Sequence, residues 1–581
     1  MEKYKILEKI NGTQDLKLLS DSDLEILGDE IRDLILNKVS EVGGHLGPNL
    51  GIIELSIALH YVFNSPVDKI IWDVSHQSYT HKILTGRRKA FEKFKISKEI
   101  SGFTDFTESE HDLFCVGHTS TSVSLASGIA KARDLKGETG NVIAVIGDGS
   151  LSGGEAFEGL DNVGTFKSNF IVIVNDNEMS IAKNYGGLYG NLQELRDTNG
   201  KAENNFFKTL GFDYKYVEEG NNVLTLIEEL KQIKEITKPI VLHVHTKKGK
   251  GYKFAEETPE KFHFVAPFDK ETGELKDNSN SLTYTGIVAN YISEKSKTDN
   301  RIIALNAATP GAVGIVPFRE ENPDKFFDVG IAEEHLIAFA SGLASQGMRP
   351  IALFMSSFIQ RTYDQISQDL CINNNPALII VENAGISQSD VTHAGMYDIS
   401  MLSNIPNFTY LAPANSKDLE AMLDWSLNQN FPIGIRIPGG KVSDTKNNLL
   451  SNIELNKFEK VTNGEKIAII GLGNFFVLAE NVCEKLKENG VNPTLINPRF
   501  ITGLDEELLN SLLKDHDTIV TLEDGILDGG FGEKVSRFYA NKNVKVHNFG
   551  AKKEFLHEES KEELFKRYNL NVEDIINIIL K

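Results

Sequence analysis

Cysteine is scarce: Cys115, Cys371 and Cys483 are the only three in 581 residues. They are too few and too scattered for a disulfide framework or a zinc cluster. Basic residues are outnumbered, 61 Lys and Arg against 82 Asp and Glu. The resulting formal charge of -21 offers no basic field to a phosphate backbone, which excludes nucleic acid as the main partner. Long apolar runs are missing as well. No stretch approaches a membrane span, and the start, Met-Glu-Lys-Tyr-Lys-Ile-Leu-Glu-Lys-Ile, has mixed charge and no apolar core of a signal peptide. No internal repeat or low-complexity tract is visible. What remains is an ordinary globular composition, 40% hydrophobic and 25% charged, on a chain too long for one core. The expectation is a cytoplasmic protein of about three or four domains that acts on small molecules.

Two stretches carry the strongest signal. Val142 to Ile146 and Ile171 to Val174 are runs of β-branched and apolar residues that read as buried strands. The first ends in Gly147-Asp148-Gly149-Ser150, the second in Asn175-Asp176-Asn177. Between them, Gly153 to Gly164 reads as a helix, with Ala156, Phe157, Leu160 and Val163 at helical spacing. Strand, helix, strand sets both polar tips at the carboxyl edge of a parallel sheet, where open α/β folds bind ligands. Asp148 and Asn177 offer hard oxygens suited to Mg2+, which keeps few protein ligands and shares substrate phosphates. Gly147 and Gly149 leave room for a phosphate to approach the backbone. A Gly-Asp-Gly turn is also common as a plain turn, so the second tip is what favours a metal.

Other segments follow the same grammar. Asp21 to Val42 reads as an amphipathic helix capped around Ser20–Ser22. The turn 43–51 holds His45 among glycines, a poor place for a core side chain, and an apolar helix follows over Ile52–Phe63. Ile70 to Val74 reads as a strand that delivers His76, His81 and Lys82 to a carboxyl edge. Gly117, His118 and Thr119 precede a helix that runs through Ala130; the hydroxyls and N–H groups there suit a phosphate, although Ser and Thr also serve as plain caps. A strand at 243–246 enters the basic glycine turn that ends at Tyr252, 261–269 closes the first domain, and Glu271 to Asn280 reads as a polar linker. The second domain opens near Tyr284. It includes Glu333, which as a helix opener is by default a dipole partner, and ends near Pro438-Gly439-Gly440. From Glu465 a third unit begins; its Gly471-Leu472-Gly473-Asn474 lacks the third glycine of a dinucleotide fingerprint, and Phe475-Phe476 would crowd a pyrophosphate. The domains are therefore expected at 1–275, 281–442 and 460–581.

The segments GGHLGPNLG, WDVSHQSYTHKILTGRR, VGHTSTS, IGDGS and NDNEMSI, in that order, resemble those of the 1-deoxy-D-xylulose-5-phosphate synthase family, within the transketolase-like enzymes. The resemblance implies an α/β fold with two parallel-sheet domains that bind thiamine diphosphate and a smaller C-terminal α/β domain, assembled as a homodimer. It implies that Asp148 and Asn177 hold Mg2+, and that His76, Gly117, His118, Thr119, Gly149 and Ser150 line the diphosphate. Tyr252 and Ile181 are implied at the cofactor, Ile181 as an apolar wedge. Phe358 would stack on the aminopyrimidine ring. Glu333 would hydrogen-bond that ring, and His45, His263 and His393 would move protons, imidazole being a group that titrates near working pH. The implied reaction joins pyruvate to D-glyceraldehyde 3-phosphate with loss of CO2.

Three departures bear on the substrate. The family has arginines where this chain has Asn383 and Gly439, and those arginines grip the aldehyde's phosphate. Losing one charged partner typically costs about 2–5 kcal/mol in binding, so a replacement is expected, with Arg361, Arg436 and Lys441 as candidates. The loop Gly385 to His393 is shorter than usual by a residue, which bears on Asp390, a further substrate candidate. The connection from Met179 to Phe207 is also much shorter. These departures leave two alternatives beside the main reaction: a related transketolase or acyloin synthase with another acceptor aldehyde, and a catalytically silent paralogue serving as a dimer partner. The retained Glu333, Asp148, Asn177 and histidines speak against silence.

Overall fold

The computed structural model describes residues 3–96, 98–276 and 281–581. The chain divides into two compact units, Met1–Ser279 with Gly330–Ala332 and Asn280–Val329 with Glu333–Lys581. The first is built on a parallel sheet of β1 (Lys69–Trp72), β2 (Val142–Gly147), β3 (Phe170–Asp176), β4 (Asp213–Val217) and β5 (Pro239–His245), in the order β1-β2-β3-β5-β4. The central strands β2 and β3 are nearly continuous apolar runs because both faces are covered, whereas the edge strand β4 is polar and half-buried. Side chains alternate across the sheet. Ile143, Val145, Ile171 and Ile173 pack with α1 (Asp21–Val42) and α2 (Ile53–Val62) on one face. Ala144, Ile146, Val172 and Val174 meet α3 (Ser122–Lys136) and α4 (Gly154–Val163) on the other. Ser20 caps α1 by accepting the Asp23 N–H at 3.3 Å.

Some sequence expectations are corrected here. Phe157 lies on α4 at the predicted spacing, but it is 38% exposed and rests edge-on against Phe206. Strand β1 stops at Trp72, because Val74 and Ser75 take left-handed backbone angles, φ 57° and 62°. Ser75 is held there by its hydroxyl, which donates to Val116 O at 2.6 Å and accepts the Thr104 N–H at 2.8 Å. Part of the expected linker is folded: Phe268 bridges Leu275, and Asp269 N donates to Glu274 O at 2.8 Å. Its remainder, 277–280, lies outside the described residues.

The second unit holds two sheets. One is parallel, formed by β6 (Ile302–Asn306), β7 (Phe326–Asp328), β8 (Arg349–Met355), β9 (Leu378–Glu382), β10 (Thr409–Leu411) and β11 (Ile433–Arg436), in the order β10-β11-β9-β8-β6-β7. The other has β12 (Glu459–Thr462), β13 (Lys466–Gly471), β14 (Thr494–Asn497), β15 (His516–Ile526) and β16 (Lys545–Ala551), in the order β12-β14-β13-β15-β16, with only β12 antiparallel. The two sheets share one apolar core. Gly471 is needed for packing: a Cβ there would sit 2.6 Å from Ala479 Cβ and 2.8 Å from Phe476 Cα, so the turn leaves no room for a pyrophosphate, as its sequence implied. Among the described residues no helix is long and apolar enough to cross a membrane.

Candidate active site

In the first unit, parallel pairing sets Gly147 beside Asn175, so Asp148 and Asn177 emerge together at the carboxyl edge. Asp148 is 1% exposed. Its Oδ2 accepts Asn184 Nδ2 at 2.6 Å, while Asn177 N lies 3.5 Å from Oδ1. The Asn177 side-chain oxygen, Oδ1, is buried without a hydrogen-bond partner. Such orphaned oxygens are rare unless a ligand satisfies them. Burial, then the charge of Asp176, pushes the Asp148 carboxyl upward; a cation would hold it ionised. Among the described residues no three His, Cys, Asp or Glu side chains cluster as a metal cage. One carboxylate and one amide oxygen therefore fit an ion that completes its shell with phosphate oxygens and water, as Mg2+ does.

The surrounding glycines divide in their roles. The Cβ position of Gly147 has open space, as a phosphate approach requires. At Gly149 a Cβ would meet Ser180 Cα and Cβ at 2.8 Å, so the absence of a side chain there admits the neighbouring loop. Lys248 is buried, donates to Ser180 O, and is pushed down to about 8 by burial, with Asp148 opposing. The middle residue of the second tip points the other way: Asp176 receives His243 Nε2 at 2.8 Å and Arg196 Nη1 at 2.5 Å. Strand alternation explains the division. Ser150 is buried, His118 and Thr119 are half-buried, and Ile181 is half-buried on the loop that carries Ser180.

Beside this edge stand three imidazoles. Ring centroids of His45 and His76 lie 5.0 Å apart, His76 and His263 5.2 Å, and His45 and His263 5.7 Å. Asn49, fully buried, ties two of their loops together: its Nδ2 donates to His45 O at 2.8 Å and His76 O at 2.7 Å, and its Oδ1 accepts Tyr79 N at 2.9 Å. His263 keeps a partly exposed edge but is crowded by Lys248, His76 and His45. Desolvation first, then Lys248 and the two neighbouring imidazoles, hold it far below the usual imidazole range, so it stays neutral at working pH. The expectation that it titrates there is corrected; a neutral ring can still donate one hydrogen bond and accept another.

Three further expectations fail in this unit. His81 and Lys82 do not reach the open edge. Both are fully buried: His81 Nε2 meets Asp112 Oδ1 at 2.8 Å, Lys82 Nζ meets Glu108 at 2.5 Å, and Arg87 bridges both acids. Burial pushes His81 down to about 4. Tyr252 is a core residue in place of a cofactor contact; its hydroxyl donates to Lys270 O at 3.0 Å and its ring packs on Phe254, Phe262 and Phe268. The amide of Ser122, the first of α3, and that of Ser120 before it are not open to a phosphate either, since Asp73 accepts both.

In the second unit Glu333 opens α6 (Glu333–Ser345), 4% exposed, and burial pushes its carboxyl up. Arg361 Nη1 lies 3.6 Å from Glu333 Oε2 and moderates that shift. Phe358 and Arg361 stand one turn apart at the start of a short 3-10 helix after β8. Phe358 meets His393 edge-on at 5.6 Å. Asp390 orients His393: both carboxylate oxygens lie 3.1 Å from Nδ1, and Thr392 N donates to Oδ1 at 2.8 Å. Although burial opposes it, these bonds hold Asp390 well below the usual carboxylate range.

Arg436 is the clear correction here. It is 2% exposed, with Nε 2.7 Å from Asp398 Oδ2, Nη2 3.2 Å from Asp398 Oδ1, and Nη1 on Asp524. Buried, with Nε and both terminal nitrogens engaged by carboxylates, this guanidinium is poorly placed to grip a substrate phosphate. Lys441 is exposed. Asn383 and Gly439 face each other: a Cβ at Gly439 would lie 2.4 Å from Asn383 Oδ1. The two positions are thus neighbours in space.

Comparison with known proteins now bears on the assignment. A family model described as 1-deoxy-D-xylulose-5-phosphate synthase matches residues 7–203 and 197–246. Transketolase pyrimidine-binding and C-terminal models match 280–443 and 456–575. A 1-deoxy-D-xylulose-5-phosphate synthase from Caldanaerobacter subterraneus subsp. tengcongensis is 43% identical over 615 residues, covering 99% of both chains. One from Clostridium tetani is 40% identical over 616 residues, again covering 99% of each.

The chain belongs to the 1-deoxy-D-xylulose-5-phosphate synthase family. A solved transketolase from Campylobacter jejuni is also similar, at 17% identity and TM-score 0.45, covering 95% of this chain and 98% of that one. The fold is the three-sheet α/β arrangement of transketolases. Within the synthase family the chain is short. Its N-terminal match comes in two stretches that meet at 197–203, on the reduced connection carried by α5 (Gly187–Asp197), which leads straight from Asn184 to Arg196. The relatives favour neither a different acceptor nor a silent paralogue. Asn49, Asn184, Lys248 and Arg196 are side chains of this site that sequence reasoning missed. Only Lys248 carried a signal, in its basic glycine turn.

Proposed function

We propose that Asp148 and Asn177 bind Mg2+ against the diphosphate of thiamine diphosphate, and that this site serves the family's reaction in this chain. The enzyme is a transferase that condenses pyruvate with D-glyceraldehyde 3-phosphate, releasing CO2 and forming 1-deoxy-D-xylulose 5-phosphate. The single observation that carries the site is the buried, unpartnered Asn177 Oδ1 beside a buried Asp148 carboxylate. When bound, the cofactor supplies the nucleophilic carbon and the sink for the electrons left by decarboxylation.

The chain's own residues bind, orient and move protons. Gly147 admits the diphosphate, and His76 with Gly117 to Thr119 lines it. Glu333 holds a proton at its carboxyl against the aminopyrimidine, which burial favours. His45 and neutral His263 donate hydrogen bonds to oxygens that gain charge, and His393, fixed by Asp390, does the same. Arg361 is the cation we assign to the aldehyde's phosphate, since Arg436 is consumed in the core. A homodimer in the cytoplasm is the assembly we propose.

The test is direct. Purified protein is titrated with thiamine diphosphate with and without Mg2+, then supplied with pyruvate and a panel of aldehydes. Expected are Mg2+-dependent uptake, lost in Asn177→Ala, and CO2 release that is fastest with D-glyceraldehyde 3-phosphate. Uptake independent of Mg2+, or faster turnover with an unphosphorylated aldehyde, would refute the site or the acceptor respectively.

A further inference from the structure

Asp73 follows β1 directly and is 1% exposed. Its N–H donates to Val145 O of β2 at 2.8 Å, and its carbonyl accepts Gln77 Nε2 at 2.9 Å. The carboxylate is spent on backbone: Oδ1 accepts Ser120 N at 2.8 Å and Oδ2 accepts Ser122 N at 3.0 Å. It occupies the start of α3 as an external anion would. Burial pushes this carboxyl up, and the amides of Ser122 and Ser120 pull it back. Ser120 is fully buried with φ 73°, and its hydroxyl donates to Ser150 O at 2.7 Å. A Cβ on Gly153 would come within 2.1 Å of that hydroxyl oxygen, so the 148–153 turn closes directly onto Ser120. Three loops thus radiate from one carboxylate: 73–78 with His76, 117–122 with Gly117 to Thr119, and 148–153 with Asp148.

We propose that Asp73 is the positioning residue of the metal and diphosphate site, holding these three loops in register while keeping the α3 amides away from the ligand. The proposal rests on the cofactor reading above. Partners that orient metal ligands from outside typically cost about 10–100-fold in affinity when removed. Asp73→Asn keeps the volume and one acceptor but turns an NH2 group toward a backbone N–H.

In the cofactor-free protein, hydrogen exchange in Asp73→Asn should speed up together over 117–122 and 148–153 and stay unchanged over α1 and α2. Calorimetry with Mg2+ and thiamine diphosphate should show affinity weakened about 10–100-fold. Ser120→Gly suits the left-handed backbone and cuts only the link to Ser150. It should weaken binding in the same direction by less, and it carries the test if Asp73→Asn does not fold. Unchanged exchange at 148–153, or faster exchange with undiminished affinity, overturns the positioning role. A wild-type protein that takes up no cofactor overturns the functional reading instead.

Discussion

Replacing Arg436 by methionine separates a structural cation from a substrate ligand. The side chain is 2% exposed, and Asp398 and Asp524 are each 1% exposed. Tyr410 adds a hydrogen bond to Asp398 at 2.5 Å. Methionine fills much of the same volume, so the main effect is two carboxylates left buried without their cation. Breaking a buried pair by removing one partner costs about 3–5 kcal/mol, and two stranded acids place this case toward the upper end. With a urea slope of about 3 kcal/mol per molar, the unfolding midpoint should fall by roughly 1–2 M. The loss is pH-dependent, and its sign follows from the acids. Burial already pushes the Asp524 carboxyl up with Arg436 opposing, so removing the guanidinium raises it further; the deficit is absent below the ordinary carboxylate range and grows as pH climbs through the raised value. Adding Asp398→Asn and Asp524→Asn to the variant should restore most of the midpoint. An unchanged midpoint together with a raised KM for the aldehyde would refute the reasoning and return Arg436 to the substrate.

Glu333→Gln should leave unfolding nearly unchanged while slowing product formation about 10²–10⁴-fold, the range typical of a lost acid–base group; stopped-flow CO2 release at near-normal rates would remove its role. Glu382, buried at the end of β9 and pushed up to about 8 by burial, accepts Thr285 Oγ1 at 2.7 Å. Its raised folded pKa means that the folded state holds an extra proton above the unfolded carboxylate's pKa, so this contribution is lost as pH rises toward 8. Glu382→Gln should therefore flatten the fall in stability between about pH 5 and 8, with a gain of roughly 2–4 kcal/mol at pH 8 measured by urea titration; a parallel curve would refute it.

The fold was legible because its strands announce themselves. Phe170–Asp176 is buried at every position, and only a sheet covered on both faces asks for such a run. Helix α1 was readable to its ends, Asp21 and Val42, from a serine cap and an apolar stripe. What failed was local. Val74 and Ser75 read as strand and turn but adopt left-handed angles, which tertiary bonds from Ser75 enforce and no propensity reveals. Phe157 fits the helical spacing of α4, yet spacing fixes only the direction of a side chain; whether anything covers it depends on elements distant in sequence.

The candidate site divides along the same physical line. The placement of Asp148 and Asn177 at two neighbouring strand tips was readable because strand pairing fixes where the tips emerge. Side chains whose role depends on partners far away in the chain were not. His81 and His76 lie close together and look equivalent in sequence, but Asp112 holds His81 in the core, on the short helix Tyr79–Lys82, with Arg87 on the same acid, while Asn49 holds the loop of His76 at the edge. Arg436 illustrates the same limit in the second unit, since its two acids stand 38 and 88 residues away. An arginine at a sheet's carboxyl edge satisfies every local criterion for gripping phosphate. Whether it does so is decided by which carboxylates the fold brings against it, and here they engage Nε and both terminal nitrogens.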